Sequence, residues 1–205
     1  MPVEPVARAV IPRYPLRSMR PDLHLEPFVT ARLRLRRSRP EDAETISAYR
    51  GDPDVSRYQG WERTDAEAIR AEIEEMAARA PGEPGGWVQL SVEERGSGQL
   101  VGDVGLSPAD GEPGVIKIGY TMAPQVQGRG YATEAVGALA AYAFDTLGAD
   151  VVRAYASAAN LASIRVAEKI GMHLVERFEG THEGVTWYGV RYEVRREDRP
   201  ALPPA

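Results

Sequence analysis

Gly119-Tyr120-Thr121-Met122-Ala123-Pro124-Gln125-Val126-Gln127-Gly128-Arg129-Gly130-Tyr131-Ala132-Thr133-Glu134-Ala135 is the stretch on which the reading of this chain turns. A strand-like run ends at Pro124 and a glycine-bearing turn follows. From Gly130 onward the apolar set Ala132, Ala135, Val136, Leu139, Ala143 and Leu147 recurs at spacings of three and four until Gly148. This pattern predicts a strand over 115–122, a tight turn and a long helix over 130–147. A strand, turn and helix in that order bring unpaired backbone N–H groups and the positive end of the helix dipole to one point, which suits a pyrophosphate. Gly128 and Gly130 let phosphate approach the backbone, and Arg129 adds a direct charge. Spacing alone is equally compatible with an ordinary strand-to-helix turn. A P-loop is excluded because no Gly-Lys-Ser/Thr closes the turn. The dinucleotide fingerprint fails for want of its third glycine and later acidic residue.

Working outward, Arg32-Leu33-Arg34-Leu35-Arg36 alternates with period two and predicts a first strand. Ser38 to Glu41 and Thr64 to Glu67 have capping-box spacing, each ahead of a helical pattern, the first ended by Gly51-Asp52-Pro53 and the second by Pro81-Gly82. Residues 87–93 and 100–106 form a hairpin around Arg95-Gly96-Ser97-Gly98, and 151–156 is a further strand. A short helix over 161–170 closes at Gly171, and 172–178 with 185–194 make a last strand pair. Seven strands interleaved with helices describe an α/β or α+β layered domain around a mixed sheet.

Composition narrows the chemistry. The 205 residues hold no cysteine, so a disulfide framework, a thiolate metal site and a cysteine nucleophile are all excluded. His24, His173 and His182 lack the spacings of zinc ligands, and no metal is expected. The formal charge of −5 argues against broad binding to nucleic acid and favours cationic substrates. No apolar run approaches the length of a membrane span, and no secretory signal is expected in the proline- and arginine-rich start. Residues 1–27 read as an extended arm, 28–196 as one domain, and 197–205 as a tail.

Gln125-x-x-Gly128-x-Gly130, after Gly119-Tyr120 and before 131–135, resembles the acetyl-CoA motif of the GNAT superfamily. Asn160-Leu161-Ala162-Ser163 followed by Glu168-Lys169-Ile170-Gly171-Met172 is similar to its second signature. Arg32-Leu33-Arg34-Leu35-Arg36 and Asp54-Val55-Ser56-Arg57-Tyr58 look like the branch of ribosomal-protein N-terminal acetyltransferases. The resemblance spans roughly residues 30–195. It implies a GNAT fold: a mostly antiparallel mixed sheet of about seven strands, flanked by helices, with one parallel pair splayed to admit the cofactor's pantetheine arm.

By the same resemblance, main-chain groups of Met122 and Ala123 meet the pantetheine. Gln127, Gly128, Arg129, Gly130, Tyr131 and Ala132 surround the pyrophosphate, and Asn160 fixes the arm from the fifth-strand side. The family often places a glutamate base where this chain has Lys117, and a tyrosine acid where it has Ala167. Ser163 is expected to protonate the leaving thiolate. Glu62, beside Trp61, is preferred as base over Asp103, Asp110 and Glu112. Tyr58, Trp61, Asp103 and Trp187, with Trp87, are expected to line a cleft for a cationic amine.

The expected reaction is direct transfer of acetyl from acetyl-CoA to a primary amine, the acceptor being a small cationic amine such as an aminoglycoside-type antibiotic. Acetylation of a protein N-terminus is an alternative, as is a CoA-binding module that has lost catalysis, which Lys117 and Ala167 together motivate. A cytoplasmic location and a homodimer formed through 186–195 complete the expectations.

Overall fold

The computed structural model describes residues 19–61, 63–182 and 185–200, with the side chains of His182 and Val185 left out. Eight strands form one sheet: β1 (Phe28–Val29), β2 (Leu33–Arg37), β3 (Val88–Glu94), β4 (Leu100–Pro108), β5 (Val115–Met122), β6 (Val151–Ser157), β7 (His173–His182) and β8 (Val185–Arg195). Their order is β1-β2-β3-β4-β5-β6-β8-β7. Every neighbouring pair is antiparallel except β5 and β6. The sequence pattern missed only β1, whose two residues are too few to show alternation.

Five helices accompany the sheet: α1 (Ala43–Arg50), α2 (Pro53–Ser56), α3 (Ala66–Met76), α4 (Tyr131–Asp145) and α5 (Leu161–Lys169). Two predicted caps move by a residue or more. Asp65, not Thr64, caps α3 by accepting from the Ala68 N–H. Ahead of α1, Asp42 accepts from the Arg39 N–H at 2.8 Å, the part expected of Ser38 and Glu41. Pro53 ends α1 and opens α2, since a proline needs no N–H at a helix start.

Register sorts the sheet residues onto two faces. Leu35, Val92, Val104, Ile118, Ala154 and Tyr192 share the apolar face, which α4 and α5 cover. The buried side of α4, including Ala135, Val136, Leu139 and Phe144, packs there. The opposite face carries Arg36, Ser91, Asp103, Gly105, Gly119 and Thr121, and α1 to α3 cover its β2 to β4 half. With both faces covered, β4 is buried almost throughout despite its polar residues.

Residues 20–27, expected in the arm, lie against the body: the Arg20 N–H donates to the Leu147 carbonyl and the Asp22 N–H to the Pro81 carbonyl, both at 2.9 Å. Residues 1–18 and 201–205 fall outside the described residues. The segment 186–195, expected to mediate a dimer, lies in β8, which pairs with β7 from Val185 to Glu193 and with β6 from Gly189 to Arg195.

Under α1 the polar face is held by buried charge. Arg36 grips Asp42 through two bonds of 2.7 and 2.8 Å, and the Ser91 hydroxyl donates to the same carboxylate at 2.7 Å. Burial alone would raise the Asp42 carboxyl, but the bonds from Arg36, the Arg39 N–H and Ser91 hold it below its ordinary value. Asp42→Ala should therefore cost about 3–5 kcal/mol by leaving Arg36 short of a partner. The sign in pH follows from the depressed value. The stabilisation is complete above about pH 4, where the unfolded carboxyl is also ionised, and drains as pH falls through the folded value. Urea midpoints of wild type and Asp42→Asn should converge below about pH 4; a gap constant down to pH 3 would contradict this assignment.

Candidate functional site

The parallel ladder between β5 and β6 is short. Val115, Ile116, Lys117 and Ile118 pair with Val151, Val152, Arg153 and Ala154, and there the pairing stops, although both strands continue. Gly119 to Met122 and Tyr155 to Ser157 thus diverge, leaving a slot through the sheet. The Ala123 N–H donates to the Val101 carbonyl of β4. By alternation along an antiparallel ladder, the main-chain groups of Tyr120 and Met122 face the slot instead. The Gln127 side chain donates to the Met122 carbonyl at 3.1 Å, tying the turn to the end of β5.

On the apolar-face side, the slot leads to the start of α4. Gly128 and Gly130 both adopt positive φ, 77° and 81°, which a side chain would resist. No side chain caps α4, and among the described residues the N–H groups of Tyr131, Ala132 and Thr133 meet no protein acceptor. An uncapped 15-residue helix behind two left-handed glycines is a fitting cradle for a diphosphate. Residues 127–132 therefore stand together as expected. Arg32 braces them from the side: it bonds the Arg129 carbonyl at 2.9 Å and Glu134 at 2.6 Å.

Across the slot, Asn160 caps α5 by accepting from the Ser163 N–H at 3.1 Å. The Tyr120 hydroxyl donates to the Ser163 carbonyl at 2.8 Å, linking the free part of β5 to α5. Burial pushes the Tyr120 hydroxyl up to about 12, so it stays protonated through neutral pH. No local sequence signal assigns Tyr120 this role.

On the polar face, a cavity of about 310 Å³ opens onto Gly119, Tyr120 and Thr121. Its walls include Arg50, Trp61, Glu72, Trp87 and Asp103. Trp87 forms the floor: a Cβ on Gly105 would stand 2.3 Å from its indole, and one on Gly119 3.1 Å. The two glycines thus make the shelf on which the ring lies. Asp103 is 2% exposed and accepts from Tyr49, Arg50 and Gln89, so its lone pairs are already engaged. Burial and the neighbouring Asp103 charge drive the Tyr49 hydroxyl well above its ordinary value. Glu72 is the more open carboxylate, its side chain 51% exposed and 3.7 Å from Arg50. Arg50 lies over the Trp61 ring at 4.8 Å.

Trp61 and Asp103 therefore stand together as expected, joined by Arg50, Glu72 and Gln89, which no local pattern marks. Tyr58, on the turn after α2, and Trp187, packed on Phe178 in β8, lie outside this lining. Asp110 sits 3.4 Å from Lys117, and Glu112 holds Arg153 with two bonds, at the closed end of the strand pair. Glu62 lies outside the described residues. Among the described residues no His, Asp and Glu cluster could hold a metal ion, and no helix is long and apolar enough to cross a membrane.

Known proteins share this architecture. Residues 32–173 match the family model described as an acetyltransferase (GNAT) domain. The uncharacterized protein YkkB of Bacillus subtilis is 36% identical over 149 residues, covering 71% of this chain and 84% of its own length. The uncharacterized N-acetyltransferase YoaA of the same organism is 30% identical over 143 residues, covering 69% and 80%. The crystal structure of a GNAT-family acetyltransferase from Bacillus anthracis superposes with a TM-score of 0.74 at 27% identity, covering 84% of this chain and 99% of that one. With the splayed strand pair and the open helix start already in place, the chain belongs to the GNAT acetyltransferases, a family whose acetyl donor is acetyl-CoA.

Proposed function

We propose that this acetyltransferase modifies the primary amine of a small cationic acceptor, of which an aminoglycoside-type antibiotic is the model, with the amine-bearing end seated in the 310 Å³ cavity. The carrying observation is that this cavity opens at the slot and combines Trp61 and Trp87 with Glu72 and Asp103, aromatic faces and carboxylates together. Its volume lies at the lower end of the range for ligand sites, enough for an aminoalkyl group or one ring while the rest of the acceptor stays outside. A protein N-terminus is the second reading. Exposed Tyr155 and Trp187 favour it, since register places both on the same face of the sheet as the cavity, where a peptide could continue.

Acetyl-CoA supplies an activated thioester, whose carbonyl carbon the neutral amine attacks as the carbon–sulfur bond breaks. Residues 127–132 hold the pyrophosphate, Asn160 steadies the pantetheine arm, and Tyr120 and Met122 form its main-chain boundary, a place expected of Ala123, whose N–H is committed to Val101. The Met122 N–H, turned toward the slot, stabilises the developing oxyanion. An alkylamine with a pKa near about 10.4 is mostly protonated at pH 7, so a proton must leave before attack. Glu72 takes it through water, Asp103 being engaged by its three donors. Glu62, next to Trp61, is the other candidate acceptor of that proton. Ser163, in the first turn of α5, gives its proton to the leaving thiolate and regains one, through solvent, from the acetylated nitrogen, which must lose its second proton to become the amide.

Free-thiol release and product mass, measured with acetyl-CoA against aminoglycosides, polyamines, amino acids and peptides, test the acceptor. Turnover confined to peptides would replace the first reading by the second, and CoA binding without turnover on any amine would leave only a binding module. Ser163→Ala should lower kcat by at least about tenfold with CoA affinity unchanged. Glu72→Gln should lower kcat/KM by roughly a hundredfold; the same loss in Glu62→Gln, with Glu72→Gln near wild type, would move the base to Glu62.

A further inference from the structure

The phosphate turn owes its shape to a residue distant in sequence. Arg32, immediately before β2, meets three residues that flank the open N–H groups of α4. Its Nη1 donates to the Arg129 carbonyl at 2.9 Å, its Nε donates to Glu134 at 2.6 Å, and its guanidinium lies 4.5 Å over the Tyr131 ring. The Arg32 main-chain N–H and the Thr30 hydroxyl donate to the same Glu134 carboxylate. Tyr131 continues the brace by donating to Glu94, and Arg95 donates to the Thr30 carbonyl at 2.7 Å.

Glu134 makes this arrangement informative. It stands in the first turn of α4. A carboxylate there favours the helix itself but opposes any second anion brought to the same N–H groups. A helix end that receives a diphosphate therefore needs that charge cancelled without its own N–H groups being covered. Arg32 cancels it from the flank, because the contacts it makes are to side chains, to a carbonyl and to a ring face.

Resting on the proposed cofactor site, we infer that Arg32 is a positioning residue for acetyl-CoA: it neutralises Glu134 and fixes the aim of the 128–132 turn, so that it governs donor affinity and leaves the acceptor cavity untouched. Calorimetric CoA binding, steady-state kinetics and melting temperature would be measured for Arg32→Met, Arg32→Lys, Glu134→Gln and the Arg32→Met/Glu134→Gln pair. Arg32→Met should weaken CoA binding and raise KM for acetyl-CoA by roughly tenfold, with kcat at saturating donor and acceptor KM within about twofold of wild type. Arg32→Lys should recover part of the loss. Adding Glu134→Gln to Arg32→Met should recover most of it, which lost folding would not allow.

Wild-type CoA affinity in Arg32→Met, or a double variant no tighter than Arg32→Met, would overturn the inference. Should Arg32→Met not fold, Glu134→Gln alone decides. Glutamine keeps an acceptor for Arg32, so CoA should bind at least as tightly as to wild type, and weaker binding refutes charge cancellation. A wild-type protein that binds no CoA would instead overturn the cofactor site itself.

Discussion

Everything at the centre of this molecule depends on two parallel strands that stop pairing after four residues. A buried strand normally spends its N–H and C=O groups on neighbours, and leaving them unmet is costly. Here the cost is contained at both ends of the gap. At the closed end Arg153, 3% exposed, joins β5's approach loop to β8 through Glu112 and Glu193. At the open end Tyr120 reaches Ser163, so α5 stands off β5 at a fixed distance. The slot is thereby held open between β5 and β6, and in the proposed reaction its apolar-face side takes the donor and its polar-face side the acceptor.

The polar face is built from charges that the fold can keep only because each is engaged. Arg36 with Asp42, and Arg50 with Asp103, are nearly buried pairs, and such pairs contribute little net stability once desolvation is counted. Their effect is geometric. The first pins the start of α1 to β2 and β3, and the second pins its end to β4, so the wall of the acceptor cavity inherits the register of the sheet.

Much of this was legible in the sequence where the determining signal is local. The period of α4, the alternation of β2 and the glycines at 128 and 130 each describe their own surroundings, and the expected strands lie within a residue or two of the observed bounds except β7, which runs four residues past 178 to His182. Trp87 is the counterexample. Its place follows from Gly105 and Gly119, residues on two other strands that become a shelf only when β3, β4 and β5 are in register. Glu72 and Arg50 carry no local signal for the same reason, as each reads locally as an ordinary helix-surface charge. Trp187 is expected at the cleft because aromatic walls combined with acidic groups recognise cationic amines. Its ring packs against Phe178, a partner set by pairing across the β7–β8 hairpin.

The two halves of the slot come from different stretches of chain. Residues 50–87 supply about half of the cavity wall, residues 119–170 build the proposed donor side, and β5 is the strand that belongs to both. Substitutions on α1 to α3 can alter the cavity without reaching the turn that ends in α4. Such a chain is suited to diversification by exchange: the early helices can drift, or be swapped between homologues, while the machinery that delivers the acetyl group is inherited unchanged. Libraries confined to positions 50–76, with Glu62 and Glu72 held fixed, would therefore explore acceptors in front of a constant donor turn.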